Sequence, residues 1–126
     1  MPTFNGNQLG LATTIYPGDT IPLFAASDTL AAGSNSIVIA PGDAGGVNRN
    51  VVTFQLNFAS APTSVLKIFG SNTYPTTAGP QNGVLLYTST NLQADNYTDN
   101  LGFAFYWAEL VSQSAGGALT LTAHVR

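Results

Sequence analysis

The stretch that decides the fold is LGFAFYWAELV, residues 101–111. Tyr106 and Leu110 share one face of an extended strand, and the opposite face is more apolar still. A strand that is apolar on both faces is buried on both. The segment therefore predicts a central strand, covered on one side and closely approached on the other. Its more apolar face consists of Leu101, Phe103, Phe105, Trp107 and Val111.

Two further stretches, residues 49–58 and 117–126, alternate apolar and polar residues with a period of two. This alternation is typical of a strand with one buried face. In the first, Val52, Phe54, Leu56 and Phe58 alternate with Thr53, Gln55 and Asn57. Weaker strand patterns rich in Val, Ile, Thr, Phe and Tyr are predicted at 10–16, 20–24, 36–40, 64–70 and 84–88.

Turn signals such as Pro17-Gly18-Asp19 separate these eight strands, and no window shows a sustained helical stripe. The pattern predicts an all-β, antiparallel β-sandwich, a jelly roll of about eight strands. An immunoglobulin-like Greek key is the alternative. We expect a single domain over residues 1–126, with 1–8 as a flexible N-terminal arm and 72–83 as a protruding loop.

The chain is poor in charge. Lysine and arginine number 3 and aspartate and glutamate number 6, so charged residues make up 7% of the sequence, against roughly 25% in an ordinary soluble domain. So few cations argue against nucleic acid and anionic membranes as partners. Neither a secretory signal nor a membrane helix is evident, so we expect a soluble protein made in the cytoplasm. Low charge also leaves sheet edges unprotected, which favours assembly.

Residues for catalysis or metal binding are few. Cysteine is absent, and His124 is the single histidine, on the polar face of the last predicted strand. A metal site built on several histidines is therefore excluded, and an exposed terminal histidine is the favoured interpretation. The segment 42–46 is glycine-rich, but it lacks the lysine and following helix of a phosphate loop. We predict no cofactor, no metal and no enzymatic activity.

Two acidic positions leave alternatives open. The segment from Asp95 to Asn100 could bind calcium through its oxygens, although a plain turn is favoured because its spacing matches no EF-hand loop. Glu109 interrupts the apolar face of the decisive strand. Either it is a buried carboxylate paired with Lys67, or, as we favour, the strand has left the core or bulges at that point.

Aromatic residues offer a second kind of site. Trp107 and Tyr106 could form a platform on which a sugar stacks. The core interpretation is stronger, because both residues belong to the most apolar strand and aromatic side chains dominate core burial.

The chain resembles small jelly-roll structural proteins of tailed bacteriophage virions, the capsid decoration or cement proteins. The resemblance lies in residues 30–36, 51–62 and 66–72. In these segments an apolar strand is followed by a small residue and Ala61-Pro62, and then by a second strand and a polar loop. A late aromatic strand, 103–107, and a final alternating strand, 119–123, complete it. Such proteins often have an arginine in the late strand where this chain has Tyr106-Trp107, which leaves the subfamily open.

The resemblance implies a non-enzymatic protein on the outer capsid surface of the virion, a homotrimer that binds the major capsid protein and stabilises the shell. The residues expected to contact the capsid or a neighbouring subunit are Phe4, Leu9, Leu11, Tyr74 and Pro75.

Two other functions stay open. A carbohydrate-binding or receptor-binding module of a phage fibre would use Trp107, Tyr106, Tyr74 and Tyr97. An oligomeric hydrolase would use Asp99 or Glu109.

Overall fold

A computed structural model of the protein describes residues 13–25, 33–41, 51–58, 64–73, 83–89, 94–113 and 119–126. These residues form ten β-strands and no helix, which confirms the all-β prediction. The strands are β1 (Thr13–Ile15), β2 (Thr20–Phe24), β3 (Ser34–Asn35), β4 (Ile39–Pro41), β5 (Val52–Phe58), β6 (Ser64–Ser71), β7 (Val84–Ser89), β8 (Ala94–Asp99), β9 (Phe105–Gln113) and β10 (Leu119–Val125).

The strands form two sheets. Sheet A has the order β1-β4-β9-β6-β7, and β3 also pairs with β9. Sheet B has the order β2-β10-β5-β8. The short β1 is parallel to β4, and the other described pairs are antiparallel.

The pairing confirms a jelly roll. Four antiparallel pairs, β2–β10, β4–β9, β5–β8 and β6–β7, nest inside one another along the chain. They alternate between sheet B and sheet A, so the chain is one long hairpin rolled into a sandwich, with its tip at β6–β7.

The inner faces of the two sheets meet in one apolar core. Phe54 of β5 contacts Tyr106 of β9 across the sheets, with ring centroids 5.8 Å apart. The alternation predicted for the fifth and tenth strands is confirmed, because Phe54, Leu56, Leu119 and Leu121 are all buried. Burial of an aliphatic or aromatic side chain of this size contributes about 1.5–3 kcal/mol.

Strand β9 is central in sheet A, as predicted, and the structure shows which of its two apolar faces meets the main core. Tyr106 and Leu110 lie in the main core. Trp107 packs with Val38 and Phe69 in a second cluster. The strand begins only at Phe105, after Gly102 leaves the extended conformation with φ of 76°. The preceding Leu101 is 67% exposed.

The segment from Asp95 to Asn100 was predicted as a turn, and this was wrong, because residues 94–99 are a strand. They form β8, which pairs in continuous register with β5, from Val52 opposite Asp99 to Asn57 opposite Ala94. The sequence does not show this strand by apolar alternation, because the residues on its inner face are Asp95, Tyr97 and Asp99. The two-residue β3 was also missed.

Gly83 lies directly against Trp107 of the second cluster. A Cβ atom on Gly83 would lie 2.5 Å from Cη2 of Trp107 and 3.0 Å from the carbonyl oxygen of Gly70. Trp107 is fully buried and stacks on Phe69, with ring centroids 5.8 Å apart. The indole is therefore held between the ring of Phe69 and the backbone at Gly83.

Replacing Gly83 with alanine should destabilise the protein by about 1–3 kcal/mol, because overpacking forces the indole or the backbone to shift. Urea denaturation followed by tryptophan fluorescence and circular dichroism measures the loss. The matched control is Gly83→Ala in a Trp107→Phe background, where the smaller ring removes the clash and the added cost should shrink. An equal cost in both backgrounds would contradict the packing described for Trp107.

Candidate functional site

The residues predicted to contact the capsid or a neighbouring subunit are not placed by the structure. Phe4, Leu9, Leu11, Tyr74 and Pro75 all lie outside the described residues. The arm predicted at residues 1–8 lies outside them as well.

The most specific polar constellation is built around Asp99 at the end of β8. Asp99 is 1% exposed and accepts three hydrogen bonds: from Tyr97 Oη at 2.9 Å, from Tyr106 Oη at 2.5 Å and from the Leu101 amide at 3.1 Å. Tyr106 Oη accepts in turn from the Phe103 amide at 3.1 Å. All three groups on Asp99 are donors, as a carboxylate acting only as an acceptor requires.

This arrangement supports a structural role for Asp99. Its two oxygens are already occupied, and Tyr106 carries the hydrogen bond from β9 in sheet A to β8 in sheet B. A carboxylate that is buried and bonded on both oxygens to donors fixed within the fold is not accessible to solvent.

The surroundings also change the acidity of the two phenols. Burial, followed by the hydrogen bond to Asp99 and its negative charge, raises the pKa of Tyr97 to about 12. The same causes in the same order raise the pKa of Tyr106 well above its usual value. Both phenols therefore stay protonated donors at physiological pH.

A second bond of the same kind joins the sheets further along β8. Tyr87 on β7 donates to Asp95 Oδ2 at 2.6 Å, and this hydrogen bond is the largest cause of the raised pKa of Tyr87. Tyr87 stacks on Tyr97 with ring centroids 5.0 Å apart. Tyr97 stacks in turn on Phe54, at 6.3 Å. The two tyrosine–aspartate bonds and this stack close the β7–β8 side of the sandwich.

A small cleft opens beside this stack. Its volume is about 10 Å³, enough for one water or one hydroxyl group. Ser89 lines the cleft, and its Oγ is buried without a hydrogen-bond partner. Tyr87, Tyr97, Asp95 and Asn96 form the polar and aromatic part of the lining. The cleft can therefore accept a hydrogen-bonding group at Ser89.

Glu109 lies within β9 and is not fully buried. It is half-buried, and its register neighbours are Lys67 on β6 and Asn35 on β3. The strand does not leave the sheet there. The register of β9 against β6 shifts two residues later, where Val65 is opposite Ser112 and Leu66 opposite Leu110. A cross-strand pair of opposite charges contributes roughly 0.2–1 kcal/mol.

His124 and Asp19 have local structural partners. Nδ1 of His124 lies 2.7 Å from Thr20 Oγ1 on the neighbouring strand β2. Asp19 accepts from the Tyr16 amide at 3.0 Å, which confirms its predicted turn role. Within the described parts of the chain, no group of three or more His, Cys, Asp or Glu could hold a metal ion. The described residues contain no helix that is long and apolar enough to cross a membrane.

The structure places three of the four aromatic residues that a carbohydrate-binding module was predicted to use. Trp107 and Tyr106 are both fully buried, which confirms their predicted place in the core. Tyr97 is half-buried in the stack described above, and Tyr74 lies outside the described residues.

The outer face of sheet B is broad and uncharged, and we call it the polar face of sheet B. Its side chains alternate with the buried ones of the core, and none of them is Asp, Glu, Lys or Arg. Thr53 and Thr98 join across it with their hydroxyl oxygens 3.2 Å apart. The face comprises Thr20 and Pro22 on β2, Thr120, Thr122 and His124 on β10, Thr53, Gln55 and Asn57 on β5, and Ala94, Asn96 and Thr98 on β8.

No family model matches the chain, and no curated protein matches it. Among solved structures, the chain is similar to the pre-peptidase C-terminal domain of collagenase from Bacillus anthracis. The two are 14% identical, with 92% of this chain and 95% of that chain covered and a TM-score of 0.36. At this TM-score the likeness bears on neither the fold nor the function of the chain.

Removing the charge of Asp99 should destabilise the fold strongly. Asp99→Asn replaces one acceptor oxygen with an amide that faces donors, so we expect a loss of about 2–4 kcal/mol in the free energy of unfolding. The matched control is Asp95→Asn, which changes a half-buried carboxylate on the same strand and should cost about 1 kcal/mol. Urea denaturation measures both. Equal losses, or no loss at Asp99, would contradict the role given to the buried carboxylate.

The raised tyrosine pKa values predict alkaline instability. A group with a folded pKa above its unfolded value, here about 12 against 10.0 for Tyr97, stabilises the fold fully below the unfolded value. That contribution is lost as the pH rises from 10 through 12. Denaturation measured across this range should therefore show decreasing stability, and phenolate absorbance should report the ionisation.

The variant Tyr97→Phe separates this cause from other groups that titrate at high pH. It should be less stable at neutral pH, because Asp99 loses a donor, yet its stability should decrease less steeply between pH 10 and 12. A slope as steep as that of the unmodified protein would contradict the assignment to Tyr97.

Proposed function

We propose that the protein is a non-enzymatic structural component of a bacteriophage virion, a capsid decoration protein that binds the assembled shell and stabilises it. The polar face of sheet B is the observation that carries this proposal. A protein that binds the assembled shell and not its dissociated subunits adds its binding free energy to the stability of the shell.

The chemistry of the face supports a protein interface. The cores of protein interfaces are depleted in charged residues, and this face has no Asp, Glu, Lys or Arg side chain across its four strands, with His124 as its one titratable group. Hydroxyl and amide groups such as those of Gln55 and Thr98 can exchange water for partner groups without the large desolvation cost of a charge. The face is therefore suited to close contact with another protein surface.

The charged side chains of the described strands lie elsewhere. Asp95 and Asp99 are bonded to tyrosines between the sheets. Lys67 and Glu109 are register neighbours on sheet A. On the described strands, this distribution leaves the outer face of sheet B neutral and suited to a neutral contact, and the proposed partner is the major capsid protein.

Purified protein added to undecorated shells of the phage that encodes it should bind at micromolar concentration and raise the melting temperature of the shells. Co-sedimentation and differential scanning calorimetry measure the two effects. Gln55→Lys and Thr122→Lys, which are register neighbours at the centre of the face, should each weaken binding by at least about tenfold, because each would bury an unpaired charge.

Thr14→Lys is the matched control, since Thr14 is exposed on β1 of sheet A. It should bind the shells as the unmodified protein does. No binding and no rise in melting temperature would refute the proposed function. Binding that both face variants retain would refute the role of the polar face.

A carbohydrate-binding module is the second candidate, and the cleft beside Ser89 favours it. Saccharides bind through aromatic rings together with hydroxyl, amide and carboxylate groups, and the cleft has Tyr87, Tyr97, Asn96 and Asp95 around an unpaired serine hydroxyl. A glycan array separates the two candidates. A signal that is lost in Tyr87→Ala would favour this module over the decoration protein.

A further inference from the structure

The hydroxyl group of Ser89 is buried, and no other group of the fold bonds to it. Ser89 is 3% exposed, and its Oγ lies in the lining of the cleft without a hydrogen-bond partner. Ser36 shows the usual situation, because its buried hydroxyl donates to the Ile37 carbonyl and accepts from the Ala108 amide. A buried hydroxyl without a partner is destabilising, and buried polar groups are nearly always bonded. Ser89 Oγ is therefore available to a group that enters the cleft.

The cleft fits a narrow and neutral group. Its volume of about 10 Å³ accommodates one hydroxyl and is too small for a carboxylate or a phosphate. A charged group would lose its hydration against the inner wall, which is apolar. That wall consists of four buried side chains, those of Phe54, Leu56, Leu66 and Ile68. A hydroxyl both donates and accepts, so it can bond to Ser89 Oγ in either direction.

We propose that the cleft binds the hydroxymethyl group of a saccharide or polyol, with its hydroxyl bonded to Ser89 Oγ and its carbon beside the rings of Tyr87 and Tyr97, which line the cleft. A hydroxymethyl group is the narrowest part of a hexose that ends in a hydroxyl, because a single carbon joins it to the ring. A hydroxyl attached directly to the ring reaches Ser89 only if the ring itself enters, and the volume does not allow this.

This inference rests on the carbohydrate-binding candidate and names the part of the ligand that the cleft takes. It does not depend on the shell contact, because Ser89 lies on β7 of sheet A and the shell contact uses the outer face of sheet B.

Two glycosides test the site as a matched pair. Methyl β-xyloside differs from methyl β-glucoside only in lacking the hydroxymethyl group. In NMR titrations, the glucoside should shift the amides of residues 87–89 and 95–97 in a saturable way at millimolar concentration. The xyloside should bind at least about tenfold more weakly, because it leaves the Ser89 hydroxyl unpaired. Glycerol, which has hydroxymethyl groups but no ring, shows by its affinity whether a polyol or a saccharide is the better ligand.

The variant Ser89→Ala removes the hydroxyl and should weaken binding of methyl β-glucoside at least about tenfold. Its urea midpoint should not fall, because no hydrogen bond within the protein is lost. The matched control is Thr88→Val, which removes the exposed hydroxyl of the neighbouring residue and should retain the full affinity.

Equal affinity for the two glycosides, or full affinity in Ser89→Ala, would overturn the hydroxymethyl site. So would the absence of a saturable shift with all three probes, since the cleft would then take water alone. A glycan-array signal that is lost in Tyr87→Ala but kept in Ser89→Ala would retain the carbohydrate-binding candidate and overturn this site only.

Discussion

Strand β9 packs against two apolar layers at once, and the arrangement of the other elements depends on this double burial. Tyr106 and Leu110 enter the main core, whereas Trp107 packs on Phe69 in a second cluster. β9 is also paired on both edges, because it lies between β4 and β6 in sheet A. The bulk of Trp107 also requires a glycine at position 83, because a Cβ atom there would overlap the indole ring.

The second constraint acts between the sheets and involves the few charges that the chain has. Tyr106 reaches from β9 to Asp99, and Tyr87 reaches from β7 to Asp95, so two hydrogen bonds attach β8 to the opposite sheet. Both carboxylates are thereby used inside the fold. This leaves the polar face of sheet B to hydroxyl and amide groups, which is the property that supports binding to a larger protein assembly.

Strong apolar alternation made most strands predictable, because a period of two in Val52–Phe58 or Leu119–Val125 directly reports burial on one face. β2 was predicted at residues 20–24, as observed. β8 could not be found in this way, since its inward residues are two aspartates and a tyrosine whose burial depends on partners from other strands. The sequence did not show which face of β9 meets the main core, because both of its faces are apolar and only the position of the partner sheet distinguishes them. The predicted contact residues are in segments outside the described ones, and the polar face of sheet B emerged only when the sheet order was known.

Native-state hydrogen exchange followed by NMR tests the central role of β9 most directly. If β9 is buried on both faces, the amides of residues 105–110 should exchange only through global unfolding, with a free energy equal to that from urea denaturation. The amides of the edge strands β1 and β7 should exchange at lower free energies. Amides of β9 that exchange as easily as those of β7 would contradict the account.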